Sequence, residues 1–88
     1  MDNVTTEPQI LADRRGVAFS LMVKGAPVEC VIAIIALETH FGLERGASDV
    51  RILRTFRDGY ARICAVAERK ALARPDARVD LMPHDFIR

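Results

Sequence analysis

The hydrophobic positions along this chain change period twice, and each change predicts an element. From Val17 to Val23 the apolar residues alternate: Val17, Phe19, Leu21 and Val23 share one face of a strand, with Ala18, Ser20, Met22 and Lys24 on the other. Gly25 gives the backbone freedom to reverse. Pro27 stands where a second strand begins, a place that tolerates a missing amide. Val28, Cys30 and Ile32 then face one side, and Glu29, Val31 and Ala33 the other. The two runs read as a hairpin.

Near Ala33 the period becomes helical. Ile34, Leu37 and Phe41 fall on one face of a short helix, which Gly42 ends because it takes positive φ without penalty. Leu43 to Ala47 reads as a loop. Ser48 is an N-cap, and Asp49 favours the positive end of the helix that follows. From Asp49 to about Ala73 a stripe of Leu53, Phe56, Tyr60, Ile63 and Ala67, widened by Ile52 and Val66, lies opposite a face bearing Arg51, Arg54, Asp58, Arg62 and Arg69. Asp58 is four residues from both Arg54 and Arg62 and can pair with either. Gly59 costs about 1 kcal/mol against Ala in a helix interior, so it marks a kink or a break into two helices. Pro75 ends the element. Arg78 to Met82 alternates as a last short strand with Val79 and Leu81 inward, and Phe86 anchors the end of the chain.

These elements predict an α+β fold, a small two-layer domain in the order β-β-α-α-β. Its antiparallel sheet is expected to carry the last strand at an edge and helices on one face. The pattern leaves strand order open. Residues 1–9 are expected to form a flexible tail and 10–88 a single domain, with Ile10 and Leu11 adding either a short edge strand or a contact to the core.

The motifs Val17-x-Phe19, Val23-x-Gly25, Val28-x-Cys30-x-Ile32 and Ala36-Leu37-x-x-x-Phe41-Gly42 recur in a known order. Phe56, Ile63, Ala67 and Lys70, then Val79-x-Leu81 and Asp85-Phe86, follow them. Over about Val17 to Phe86 the chain thus resembles a family of small, mostly proteobacterial proteins known as domain of unknown function 1488. The resemblance implies a small α+β fold and no established activity. The chain departs from that family's pattern at Gly59-Tyr60, where Asn-Arg is common, and at Ala33, where a hydroxyl residue is common.

Composition adds less. Half of the residues are hydrophobic (50%) and 28% are charged, as in a folded protein, and a net charge of +1 gives no general pull toward nucleic acid or acidic membranes. The apolar run from Val31 to Leu37 is far short of the roughly 20 residues that span a bilayer. The N-terminus is polar and unlike a signal peptide. A cytoplasmic bacterial protein without membrane contact is the expectation.

Candidate chemistry is sparse. Cys30 and Cys64 lie in apolar surroundings, which favour inert core thiols over a redox pair. With His40 and His84 they match no compact zinc spacing. Ser20, Ser48, His40, His84 and Asp85 lie in no nucleophile elbow or glycine-rich loop, so no catalytic, cofactor-binding or metal residue is assigned and no cofactor is expected. The basic face offers Arg51, Arg54, Arg62 and Arg69, flanked by Arg57, as contacts for nucleic-acid phosphates. Its plainer reading is a solvated face partly neutralised by Asp58 and Glu68. Met22, Val31, Ile35, Leu43 and Leu72 either complete the core or form an exposed apolar strip. The reading that follows is a non-enzymatic accessory or protein-interaction module, with an unknown protein partner or self-association. Its alternatives are weak, non-specific nucleic-acid binding through the arginine face and, more distantly, small-molecule binding or catalysis.

Overall fold

A computed structural model describes residues 7–74 and 78–87. The hairpin is its centre. Strand β2 (Gly16–Val23) pairs antiparallel with β3 (Ala26–Ala33) along its whole length, from Gly16 opposite Ala33 to Val23 opposite Ala26. The reversal needs only Lys24 and Gly25, with φ of 51° and 80°. Two left-handed residues in succession form the tight turn that matches the strands' twist. β3 therefore begins at Ala26, one residue before the expected start, and Pro27 lies inside it opposite Met22. That pair follows the hydrogen-bonded pair closing the turn, so the proline nitrogen points away from β2, where no partner is needed.

A short strand β1 (Gln9–Ile10) pairs antiparallel with β2, Gln9 opposite Ala18 and Ile10 opposite Val17. Of the two alternatives for Ile10 and Leu11, the short edge strand forms; it takes in Gln9 from the expected tail and stops before Leu11. The rest of the proposed tail falls largely on residues 1–6, outside the described residues.

Three helices follow: α1 (Ile34–His40), α2 (Asp49–Asp58) and α3 (Tyr60–Ala73). Ala33 caps α1 without a side-chain hydrogen bond, and the Ile34 amide instead donates to the Arg15 carbonyl at 2.8 Å. The Ser48 hydroxyl accepts from the Arg51 amide at 3.3 Å and so caps α2. Gly59 breaks the long helix in two. Its amide still donates to Thr55 O and its carbonyl still accepts from the Ile63 amide, at 3.1 and 3.0 Å, so the axis bends with little loss of hydrogen bonding. The bend makes room for Phe41, the residue that caps the end of α1: a Cβ at Gly59 would lie 2.4 Å from its ring.

The last strand, β4 (Val79–Leu81), joins β3 at the other edge and completes a sheet of order β1-β2-β3-β4. It runs parallel to β3, with Val31 opposite Asp80, which corrects the expectation of a wholly antiparallel sheet. Alternation along Val79 to Leu81 is the same for either direction. The helix layer decides it, because it carries the chain back to the end of the sheet where β3 started. A single 3-10 turn (Pro83–Phe86) closes the described chain.

The core lies between sheet and helices. Val17, Phe19, Cys30, Ile32, Val79 and Leu81 meet Leu37, Ile52, Phe56, Ile63 and Ala67, all buried. Phe19 and Phe56 lie 5.0 Å apart between ring centres, tilted as aromatic pairs prefer. Leu43, one candidate for an exposed strip, belongs to this core. Tyr60, placed in the buried stripe by its spacing, stands just past the bend and is exposed, edge-on to Phe56.

Candidate functional site

Four places on this scaffold carry the side chains singled out by the sequence. The first is the arginine face. The break at Gly59 divides it, leaving Arg51 and Arg54 on α2 and Arg62 and Arg69 on α3. Arg51 pairs with Glu44 at 3.2 Å, and Arg54 and Arg69 are exposed. Arg62 has a different role. Its guanidinium lies 5.2 Å from the centre of the Phe41 ring and 5.6 Å from that of Phe86, and it donates to the Phe86 carbonyl at 3.1 Å. A cation held over two rings with its fork engaged is a clasp on the C-terminal turn. Among the described residues Asp58 forms no ion pair with Arg54 or Arg62.

The second place is that C-terminal turn. The Phe41 and Phe86 rings meet edge to face at 5.3 Å, and His40 bonds the Pro83 carbonyl through Nε2 at 2.9 Å. Lys70 donates to the Asp80 carbonyl and to the Asp85 carboxylate, at 2.6 and 3.0 Å. Asp85 also accepts from the Met82 amide at 2.7 Å. Burial works to raise the Asp85 pKa, but the Met82 amide, the Lys70 ammonium and His84 outweigh it and hold the carboxyl below its usual range. Each of these polar groups is occupied with another part of the chain. The arrangement fastens α3, β4 and the turn.

The third place holds the thiols. Cys30 is buried on β3, and burial, with Cys64 as a second cause, pushes its pKa to about 11. Cys64, half-buried on α3, is also raised, chiefly by burial, while the Tyr60 hydroxyl opposes the shift. Tyr60 is raised in turn, first by its hydrogen bond to Cys64. A reactive cysteine needs the opposite, a thiolate favoured by positive charge. Among the described residues no three His, Cys, Asp or Glu side chains come together to hold a metal ion.

The fourth place is the face of the sheet that no helix among the described residues covers. Cross-strand partners share a face, so Gln9, Leu11, Ala18, Ser20, Met22, Glu29, Val31, Ala33 and Asp80 lie there. Strands with one solvated face ordinarily alternate apolar with polar residues. Here the centre is apolar. Cys30 to Ala33 on β3 reads as one continuous apolar run, the pattern of a strand buried on both faces. A groove of about 610 Å³ crosses this face between Leu11, Val31 and Ala33, α1 at Ile34 and Ile35, and β4 at Met82. Ile35 is 55% exposed, Met82 40% and Met22 64%, high values for large apolar side chains around a single surface. Arg14, Arg15, Glu38 and Asp80 rim the groove. Of the residues proposed for an exposed strip, Met22, Ile35 and Val31 fall on or beside this face, and Leu72 is exposed on α3.

A family model described as "Protein of unknown function (DUF1488)" matches residues 5–81. The chain belongs to that family. The match spans β1 to β4 and every helix between them, and ends at Leu81, short of the Asp85-Phe86 pair on which part of the resemblance rested. No curated protein and no solved structure matches the chain. No helix among the described residues is long and apolar enough to cross a membrane.

Proposed function

We propose that this protein is a non-enzymatic interaction module that binds a protein partner through the helix-free face of its sheet. One observation carries the reading. The Cys30 to Ala33 stretch of β3 is apolar on both sides, yet among the described residues only one side is covered, by α1 to α3. Burial of apolar surface contributes about 25 cal/mol per Å², so a partner covering the groove and its rim gains a substantial driving force. The arginine face supports the nucleic-acid alternative less, since Arg62 is committed to Phe41 and Phe86 and Arg51 to Glu44. Raised thiol pKa values, a carboxylate tied to a lysine and histidines without a nucleophile beside them favour binding over catalysis.

The test is site-specific photo-crosslinking in the native host, with a photoreactive residue at Val31 or Ile35 on the bare face and at Arg54 or Arg69 on the helix side. Protein adducts from the sheet positions, with few from the helix positions, are the expected result. Adducts confined to Arg54 and Arg69, adducts to nucleic acid, or none from Val31 and Ile35 would overturn the reading.

A further inference from the structure

Resting on that reading of the bare face, we infer that its occupant is a second copy of this chain, docked face to face about a two-fold axis through the groove at Val31. The charges around the groove favour a copy over an unlike partner. Arg14 pairs with Asp49, and Arg78 pairs with Asp80 at 3.2 Å, so these groups are balanced within the chain. Among the described residues Arg15 and Glu38 form no ion pair, and both line the groove. The groove thus presents one uncommitted cation and one uncommitted anion above an apolar floor.

Such a surface is complementary to itself. In an isologous contact residue i of one copy meets residue j of the other, and j meets i. Arg15 of each copy then faces Glu38 of its mate, and both charges are matched at once. A strongly acidic or strongly basic partner would satisfy one and repel the other. Shape agrees with charge. Ala18, Ser20 and Ala33 keep the middle of the sheet low, while Met22, Ile35 and Met82 stand up around it, exposed. Long side chains from one copy have small positions to lie over on the other. The contact also covers the outer side of the β3–β4 pair, which the described residues leave open.

The experiment is sedimentation velocity of the full chain over a range of concentrations, with circular dichroism melts to establish that each variant folds. The wild-type chain is expected to shift from monomer to dimer as concentration rises. Arg15→Glu alone and Glu38→Arg alone each put like charges across the interface, and each should weaken dimerisation at least tenfold. Mixed in equal amounts, these two variants should form a heterodimer of near wild-type affinity, because each acidic pair on one copy then meets a basic pair on the other. Native mass spectrometry resolves that heterodimer. A wild-type chain that stays monomeric at every concentration, single variants that dimerise normally, or a mixture that fails to rescue would each overturn the inference. The broader reading fails separately: adducts from Val31 whose mass differs from twice that of the chain would sink the copy alone, whereas the absence of any adduct from that face would sink both.

Discussion

The two faces of the sheet are made from the same strands, and residue by residue they differ in what they meet. Ile32 points into the helix layer and is fully buried, packed in the core with Leu37, Ile63 and Leu81. Val31, its neighbour in the chain, points the other way into an open groove. Both are β-branched aliphatics of the kind that suits a strand. Among the described residues one face has its partner in the same polypeptide and the other does not. The difference teaches that an apolar side chain is a statement about an environment, and that the environment need not lie within one copy of the chain.

The largest effect should come from this adjacent pair. In dilute solution Ile32→Ala should cost about 2–5 kcal/mol in urea unfolding, as buried aliphatic truncations do. Val31→Ala at the same dilution should cost under about 1 kcal/mol, typical of a side chain with little to pack against. Its cost should then grow with protein concentration, because a dimer stabilises the folded state by mass action. Equal costs at high dilution would erase the distinction between the faces.

On the covered side, Gly59→Ala drives a methyl group into the Phe41 ring, which Phe86 and Arg62 hold in place. Overpacking of this kind costs about 1–3 kcal/mol. Adding Phe41→Leu should return part of that loss, and strictly additive costs in the double variant would show that the bend is not built around the ring.

Asp85→Asn tests the fastening of the same layer at its rim. The folded carboxyl is held below its usual range, so its contribution is fully present above the unfolded value near 3.8 and disappears as pH falls through the lower, folded value. Loss of the charged hydrogen bonds to Lys70 and the Met82 amide should cost about 1–3 kcal/mol at neutral pH, and the wild-type and variant stability curves should converge in strong acid. A gap that persists below both values would mean the carboxylate is not the group responsible.

The smallest effect is a gain. Lys24 adopts a left-handed conformation in the turn between β2 and β3, one that Asn adopts more readily. Lys24→Asn should therefore raise stability by up to about 1 kcal/mol while leaving both faces, and any association through the bare one, unchanged. A fall in stability would place the lysine side chain in a contact that the backbone geometry does not reveal.

Much of the covered side was legible in the sequence because its signals are local. Period-two alternation from Val17 and again from Val28 gave the hairpin, and the change near Ala33 gave α1. The hydroxyl of Ser48 gave the start of α2. What was missed depends on three-dimensional context. Alternation carries no direction and fits an antiparallel β4 equally well, although a strand that follows a helical return to the same sheet is the parallel case. Arg62 matched the spacing of a solvated face. Past the bend at Gly59 it stays exposed yet lies over Phe41 and Phe86, aromatic residues distant in sequence. Lys70 stood out only as a shared position, and its bonds to Asp80 and Asp85 supply the physical reason. On the bare face the signal was present in the uninterrupted Cys30 to Ala33 run, because a strand exposed on one side would be expected to alternate more strictly.

Parallel pairing also sets an order of events. β2 and β3 are neighbours in the chain and can zip together as soon as Lys24 and Gly25 turn, whereas β4 reaches β3 only after three helices have been made and laid down. On the ribosome, the Cys30 to Ile32 edge of β3 must therefore wait uncapped while the rest of the domain is translated. Aggregation or chaperone capture of the nascent chain would strike during that interval.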